Sequence, residues 1–264
     1  MKSAHWRGLA TVSMLCLTVT AAVNAADDWG TIEGQFVFEG DVPDLEPLVA
    51  KGDQAVKDAT VCAAAGVPDE SFVVNPENRG IANVCLYLRK APKKIHPDLE
   101  QSSESEIVFD QKGCQFLPHA LILRTDQTIL VKSDDPISHN THTHPIFYDA
   151  VNLVISPNDR KGVPLQIKKS QLSGPPVKVT CDIHPHMIAW WMVSDHPYVA
   201  ITDADGKFKI ENLPAGKHKF RVWQEKLLYV NCSEFKRDWT ITVEAGKTTT
   251  LEPVVITSSS FPKD

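Results

Sequence analysis

The stretch VKVTCDIHPHMIAWWMV, Val177 to Val193, decides how this chain is read. A two-residue period puts Val177, Val179 and Cys181 on one face of a strand, and IAWWMV reads as the strand that follows. The intervening loop carries two imidazoles, His184 and His186, and the thioether of Met187. Two strands therefore present sulfur and nitrogen donors at their shared tip. The adjacent Trp190 and Trp191 must point to opposite faces, one into a core and the other outward or against a neighbouring layer.

Outward from this segment the pattern is all-β. Alternation recurs in TIEGQFVF (Ile32, Phe36, Phe38), in IANVCLYL (Ala82, Val84, Leu86, Leu88) and in WTITVEAG (Trp239, Ile241, Val243). HALILRT and QTILVKS are shorter apolar runs, and Asn158-Asp159, Asp205-Gly206, Pro214-Ala215-Gly216 and Ala245-Gly246 punctuate the strands. TDADGKF lacks the ligand series of a calcium loop and reads as a hairpin turn. Helical pattern is confined to a turn or two within Val49 to Ala65. The chain divides into residues 28–104, two strands around a long irregular stretch; 105–197, with most of the histidines; and 198–258, regular strands with clean turns. The last block is small for a core of its own. A sandwich shared by the first and last blocks, with the middle one inserted, buries more.

Residues 1–25 read as an export signal: Lys2 and Arg7 precede a mostly apolar run, Leu9 to Val23, and Val23-Asn24-Ala25 offers small residues for cleavage. That run is shorter than the roughly 20 residues a spanning helix needs, so the mature chain is expected to be exported, periplasmic or extracellular, without a membrane span. Loss of the two signal cations takes the formal charge from −6 to −8, which disfavours nucleic acid as a partner. Five cysteines remain: Cys62, Cys85, Cys114, Cys181 and Cys232. Export favours disulfides, and an odd count leaves one thiol over. Cys181, beside the histidines, is the expected free thiol. Four cysteines allow three pairings; the expected one is Cys62–Cys114 with Cys85–Cys232.

Two imidazoles and a thiolate in a plane, with a weak axial thioether, make a copper electron-transfer site. Cys181, His184 and Met187 supply three of these donors, and His139, after QTILVKSDDPIS, supplies the fourth from a distant loop. Zinc seldom takes a methionine, so Met187 favours copper. His142, His144 and His186 are candidates for a second, more open metal site, or are loop histidines of no metal role. His119 and His196 read as packing residues or as supports behind the ligands, not as ligands. No phosphate-binding loop, nucleophile elbow or supported carboxylate pair occurs, so no motif indicates an enzyme.

The spacing Cys-x2-His-x2-Met with Pro185 after the histidine resembles the ligand loop of the cupredoxin (blue copper) family, in its amicyanin-like form. SHNTH resembles that family's first-ligand segment, and the 42-residue separation of His139 from Cys181 is similar. The resemblance covers roughly 105–197 and implies a Greek-key β-sandwich. It also implies His139, Cys181 and His184 as equatorial ligands, Met187 as axial ligand, Asn140 bridging the two ligand loops, and His184 reaching an apolar surface as the electron's exit. Ile183 departs from the pattern and leaves an amide that could bond to the sulfur; His186 stands where the family has an aromatic residue. GTIEGQFVFEGDVP and AITDADGKFKIENLPAGKHKFRVW resemble the carboxypeptidase-regulatory-like, transthyretin-like β-sandwich. The two resemblances together imply a one-electron carrier serving a redox protein partner, in a chain similar to methylamine-utilisation-like exported proteins. A copper-delivery protein and a purely structural binding module are the alternatives.

Overall fold

The computed structural model describes residues 28–262; the export signal falls outside the described residues. The chain is all-β, with one short α-helix, α1 (Ala59–Ala65), and two single 3-10 turns among the described residues. Its strands build two sandwiches that pack against each other.

In the first sandwich the strand Trp29–Glu39 runs antiparallel to Lys207–Pro214 and parallel to Thr248–Thr250 and Val254–Thr257. The facing sheet centres on Gly216–Gln224, between Cys85–Leu88 and Asp238–Val243. Residues from both ends of the chain thus share one core: Ile32, Phe36 and Phe38 meet Leu86, Leu88, Phe220, Val222, Ile241 and Val243. The alternation read from TIEGQFVF is what buries those three side chains on one face. The turn Asp203–Gly206 is not a hairpin. Val199–Ile201 before it pairs with Cys85–Leu88, whereas Lys207–Pro214 after it belongs to the opposite sheet. Gly80 passes so close beneath this turn that a Cβ there would lie 1.9 Å from the Asp205 carbonyl oxygen.

The second sandwich has a sheet ordered Ala120–Arg124, Ile188–Ser194, Val177–Thr180, His139–His144, Asn152–Ile155. Its partner sheet is Gln115–Leu117, Glu106–Lys112, Thr128–Val131, Val163–Leu165. Phe109, Phe116, Val179, Ala189 and Trp191 fill the space between them. The long irregular stretch of the first block also contributes here: Val49, Cys62, Ala63 and Val67 are buried in this core. Trp191 is fully buried and meets Phe109 edge-on at 4.9 Å. Trp190 points the other way, onto Trp223 of the first sandwich at 4.7 Å, so the Trp-Trp pair joins the two units.

The cysteines divide by face. Cys62 and Cys114 are bonded, with Cα atoms 5.1 Å apart. Cys85, Cys181 and Cys232 are all free and buried, so the expected Cys85–Cys232 bridge does not form and Cys181 is not the single free thiol. Strand alternation is the reason. Leu86 and Leu88 face the first sandwich's interior, where Cys232 lies, while Cys85 and Tyr87 face the junction with the second sandwich.

Candidate metal centre

Cys181 continues the inward face of Val177 and Val179 past the end of its strand. The loop then turns back on itself: the Met187 amide donates to the His184 carbonyl at 2.9 Å, and the Cys181 amide donates to the Met187 carbonyl at 3.3 Å. His139 starts the adjacent strand. His139 and His184 are 0% and 1% exposed, and Cys181 and Met187 1% each.

His139, Cys181 and His184 come together. His139 Nδ1 lies 3.0 Å from His184 Nδ1, His184 Nδ1 lies 3.9 Å from Cys181 Sγ, and one donor atom from each residue falls within 4.8 Å of the others. Met187 is buried in the same core as Cys181. Asn140 ties the two loops together: its Oδ1 accepts from the Asp182 amide at 2.7 Å and the Ile183 amide at 3.2 Å, and its own amide donates to Cys181 Sγ at 3.4 Å. The Ile183 amide thus donates to Asn140 Oδ1 and also helps hold the Cys181 thiol down.

Each imidazole is held from behind by a carboxylate. His139 Nε2 lies 2.8 Å from Asp135 Oδ2, and His184 Nε2 lies 2.9 Å from Asp58 Oδ2. Such partners fix ring orientation and tautomer, and leave both Nδ1 atoms turned to the sulfur. Burial pulls the His139 pKa down, but its bonds to Asp135 and Cys181 outweigh this and hold it at about 9. Burial pushes the Cys181 thiol up, yet His139 and the Asn140 amide bring it below its ordinary value. His184 is lowered, chiefly by burial, with the nearby His139 charge adding to the effect against Asp58. His139, Cys181 and His184 thus turn one donor atom each toward a common point.

The other three histidines are elsewhere. His142 and His144 lie on the opposite face of their strand from His139, with rings 4.3 Å apart. His142 Nδ1 meets Asp182 Oδ1 at 3.0 Å, and His144 Nε2 meets the Thr180 hydroxyl at 2.8 Å. His186 has a buried Nε2 without a partner and lies beside the Cys62–Cys114 sulfurs; those sulfurs are bonded to each other and are not available to a metal. His184 does not reach an apolar surface. Asp58, just before α1, meets its outer nitrogen, and its side chain is fully buried. Neither carboxylate was singled out in the sequence. Asp135 stands one turn before His139 in SDDPISHN, a local hint; Asp58, 126 positions from His184, offers none.

Comparison with known proteins matches residues 188–251 to the family model of polysaccharide lyase family 4, domain II, a different family from the carboxypeptidase-regulatory-like one that the flanking segments resemble. No curated protein matches by sequence. Among solved structures, an amicyanin mutant in a reduced Cu(I) form is 15% identical over 36% of this chain and 87% of that one, with a TM-score of 0.30. An oxidised amicyanin mutant gives the same figures of 15%, 36%, 87% and 0.30. A copper-containing nitrite reductase from Thermus scotoductus SA-01 is 14% identical over 33% of this chain, with a TM-score of 0.30, and this chain spans 22% of its length.

Proposed function

We propose that the chain is an exported type 1 copper protein that carries one electron at a time between protein redox partners. The observation carrying this reading is the convergence of His139 Nδ1, His184 Nδ1 and Cys181 Sγ in a buried pocket. His139, Cys181 and His184, with the thioether of Met187 buried in the same core, are the residues that would hold a copper ion. The donor chemistry of the cluster therefore fits copper. Bound copper supplies a one-electron couple.

The chain's own residues do the remaining work. Asp135 and Asp58 hold the outer nitrogens, so the rings keep their place when the charge of the centre changes. Asn140 holds the ligand loop against the His139 strand, and the core around Cys181 and Met187 excludes water. Burial also favours a carrier over an enzyme, because the three donors are at most 1% exposed and electron transfer needs no substrate contact. Burial weighs equally against copper delivery, which requires ready exchange. The leader-like residues 1–25 and the Cys62–Cys114 bond support export. The partner is a redox protein, and the net acidity of the chain suits a basic docking face. The methylamine-utilisation resemblance names no substrate.

The test is to load the mature chain with Cu(II) and record visible absorption and EPR. An intense thiolate-to-copper band with narrow hyperfine splitting is expected, and Cys181→Ser should abolish it. A wild-type spectrum with only weak, type 2-like signals would overturn the reading.

A further inference from the structure

Residues 49–67 are not a passive loop. The Val49 and Val67 amides exchange hydrogen bonds at 3.2 and 2.8 Å, which closes the segment at its base. Val49, Cys62, Ala63 and Val67 lie in the core of the second sandwich, and Val56, Ala59 and Val61 pack against it. At the tip, Asp58 occupies the N-cap position of α1 and its carbonyl accepts from the Val61 and Cys62 amides at 2.9 and 3.0 Å. An aspartate at an N-cap ordinarily turns its side chain onto the first helical amides. Asp58 makes no such bond, and its backbone sits at φ 54°, ψ 40°, a left-handed conformation that aspartate tolerates better than most residues. Its carboxylate goes instead to His184 Nε2. The carboxylate is thus committed to His184 and not to the helix start.

The disulfide joins this arrangement to the other histidine. Cys62 is on α1, four residues from Asp58. Cys114, at the other end of the bond, donates its amide to Asp135 Oδ2 at 2.9 Å, and the same oxygen faces His139 Nε2 at 2.8 Å. One covalent link thus fastens together the supports of both imidazoles.

We propose that residues 49–67 form a latch that closes the metal centre, with Asp58 as the positioning residue for His184 and the Cys62–Cys114 bond as its lock. The latch fixes the His184 ring with Nδ1 inward and covers the edge through which metal would enter or leave. This rests on reading His139, Cys181 and His184 as metal ligands.

The experiment uses the full mature chain as wild type, Asp58→Ala, Asp58→Asn and the double variant Cys62→Ser/Cys114→Ser. In metal-free protein, nitrogen NMR of the imidazoles should show His184 protonated at Nε2 with slow exchange in wild type. Asp58→Ala should lose that signature, and Asp58→Asn, whose amide oxygen still accepts, should largely restore it. In copper-loaded protein, transfer of Cu(I) to a bathocuproine chelator should run at least tenfold faster in Asp58→Ala and in the double variant. An unchanged His184 signature in Asp58→Ala, or an altered one with an unchanged transfer rate, overturns the proposal. If Asp58→Ala does not fold, the double variant decides through the transfer rate, and no acceleration in it overturns the proposal. The NMR arm needs no metal, so a wild type that fails to bind copper is told apart from a latch that fails to hold His184.

Discussion

Replacing Asp135 by alanine should be among the most costly single changes at this centre, and the loss can be worked out donor by donor. Gly113 and Cys114 both have positive φ, 59° and 57°, in the two-residue turn between Glu106–Lys112 and Gln115–Leu117. The Asp135 carboxylate, 3% exposed, accepts from both turn amides, at 2.6 and 2.9 Å, and from His139 Nε2 at 2.8 Å. A buried donor left without an acceptor costs about 1–3 kcal/mol. Three such donors, with some relief from relaxation, give an expected loss of about 3–5 kcal/mol. Asp135→Asn keeps one acceptor but turns an NH2 group toward donors, and should lose about half as much. The assay is urea unfolding of the metal-free mature chain, followed by tryptophan fluorescence across pH. The signs are opposite at the two ends of the range. Burial works against ionisation of Asp135, but its bonds to His139 and the turn amides hold its pKa below the ordinary 3.8, so its contribution is lost as pH falls through that lower value. His139 is raised from 6.5 to about 9, so the stability from its charged form is full below 6.5 and fades as pH rises toward 9. The wild-type advantage over Asp135→Ala should therefore peak between about pH 4 and 6.5. A loss under about 1 kcal/mol at pH 6, or an advantage that grows from pH 6.5 to 9, would refute the reasoning.

Thiol titration of the unreduced, denatured mature chain should count three thiols and one disulfide, matching free Cys85, Cys181 and Cys232; a count of one would restore the second bridge. Gly80→Ala should lower stability by at least about 2 kcal/mol in the same unfolding assay, since its Cβ would meet the backbone of the Asp203–Gly206 turn. His196 is buried between the Leu88 carbonyl and the Tyr198 amide, and burial chiefly holds its pKa below 6.5. The unfolded chain takes up a proton there below pH 6.5 and the folded chain resists it, so stability should fall as pH drops from 6.5 to 5, and less steeply in His196→Gln.

Period-two patterns carried much of the fold. They placed Ile32, Phe36 and Phe38 in one core and turned Trp190 and Trp191 to opposite sides. The expected Cys85–Cys232 bridge failed on that same alternation, because the face that buries Leu86 and Leu88 does not present Cys85. The convergence of His139, Cys181 and His184 was legible because strand ends and a short loop set it locally. What surrounds the histidines was not. Asp58 reaches His184 from the start of a seven-residue helix of weak amphipathic pattern, docked from a segment with no alternation to follow. Its placement depends on three-dimensional packing and a cross-link 52 residues long in sequence, so a surface-facing His184 was expected where a covered one is found.

Dependence of the centre on Asp58 and Cys62 has a consequence for how this chain can be cut or recombined. Residues 105–197 contain every ligand of the proposed centre, yet a fragment with those bounds would leave Cys114 unpaired, His184 uncapped and the core open where Val49 and Val67 had been. Grafting the segment into another protein, or shuffling it as a unit, would transplant the donors without their enclosure. The strands mark two sandwiches, but the smallest heritable piece with a finished centre begins no later than Val49.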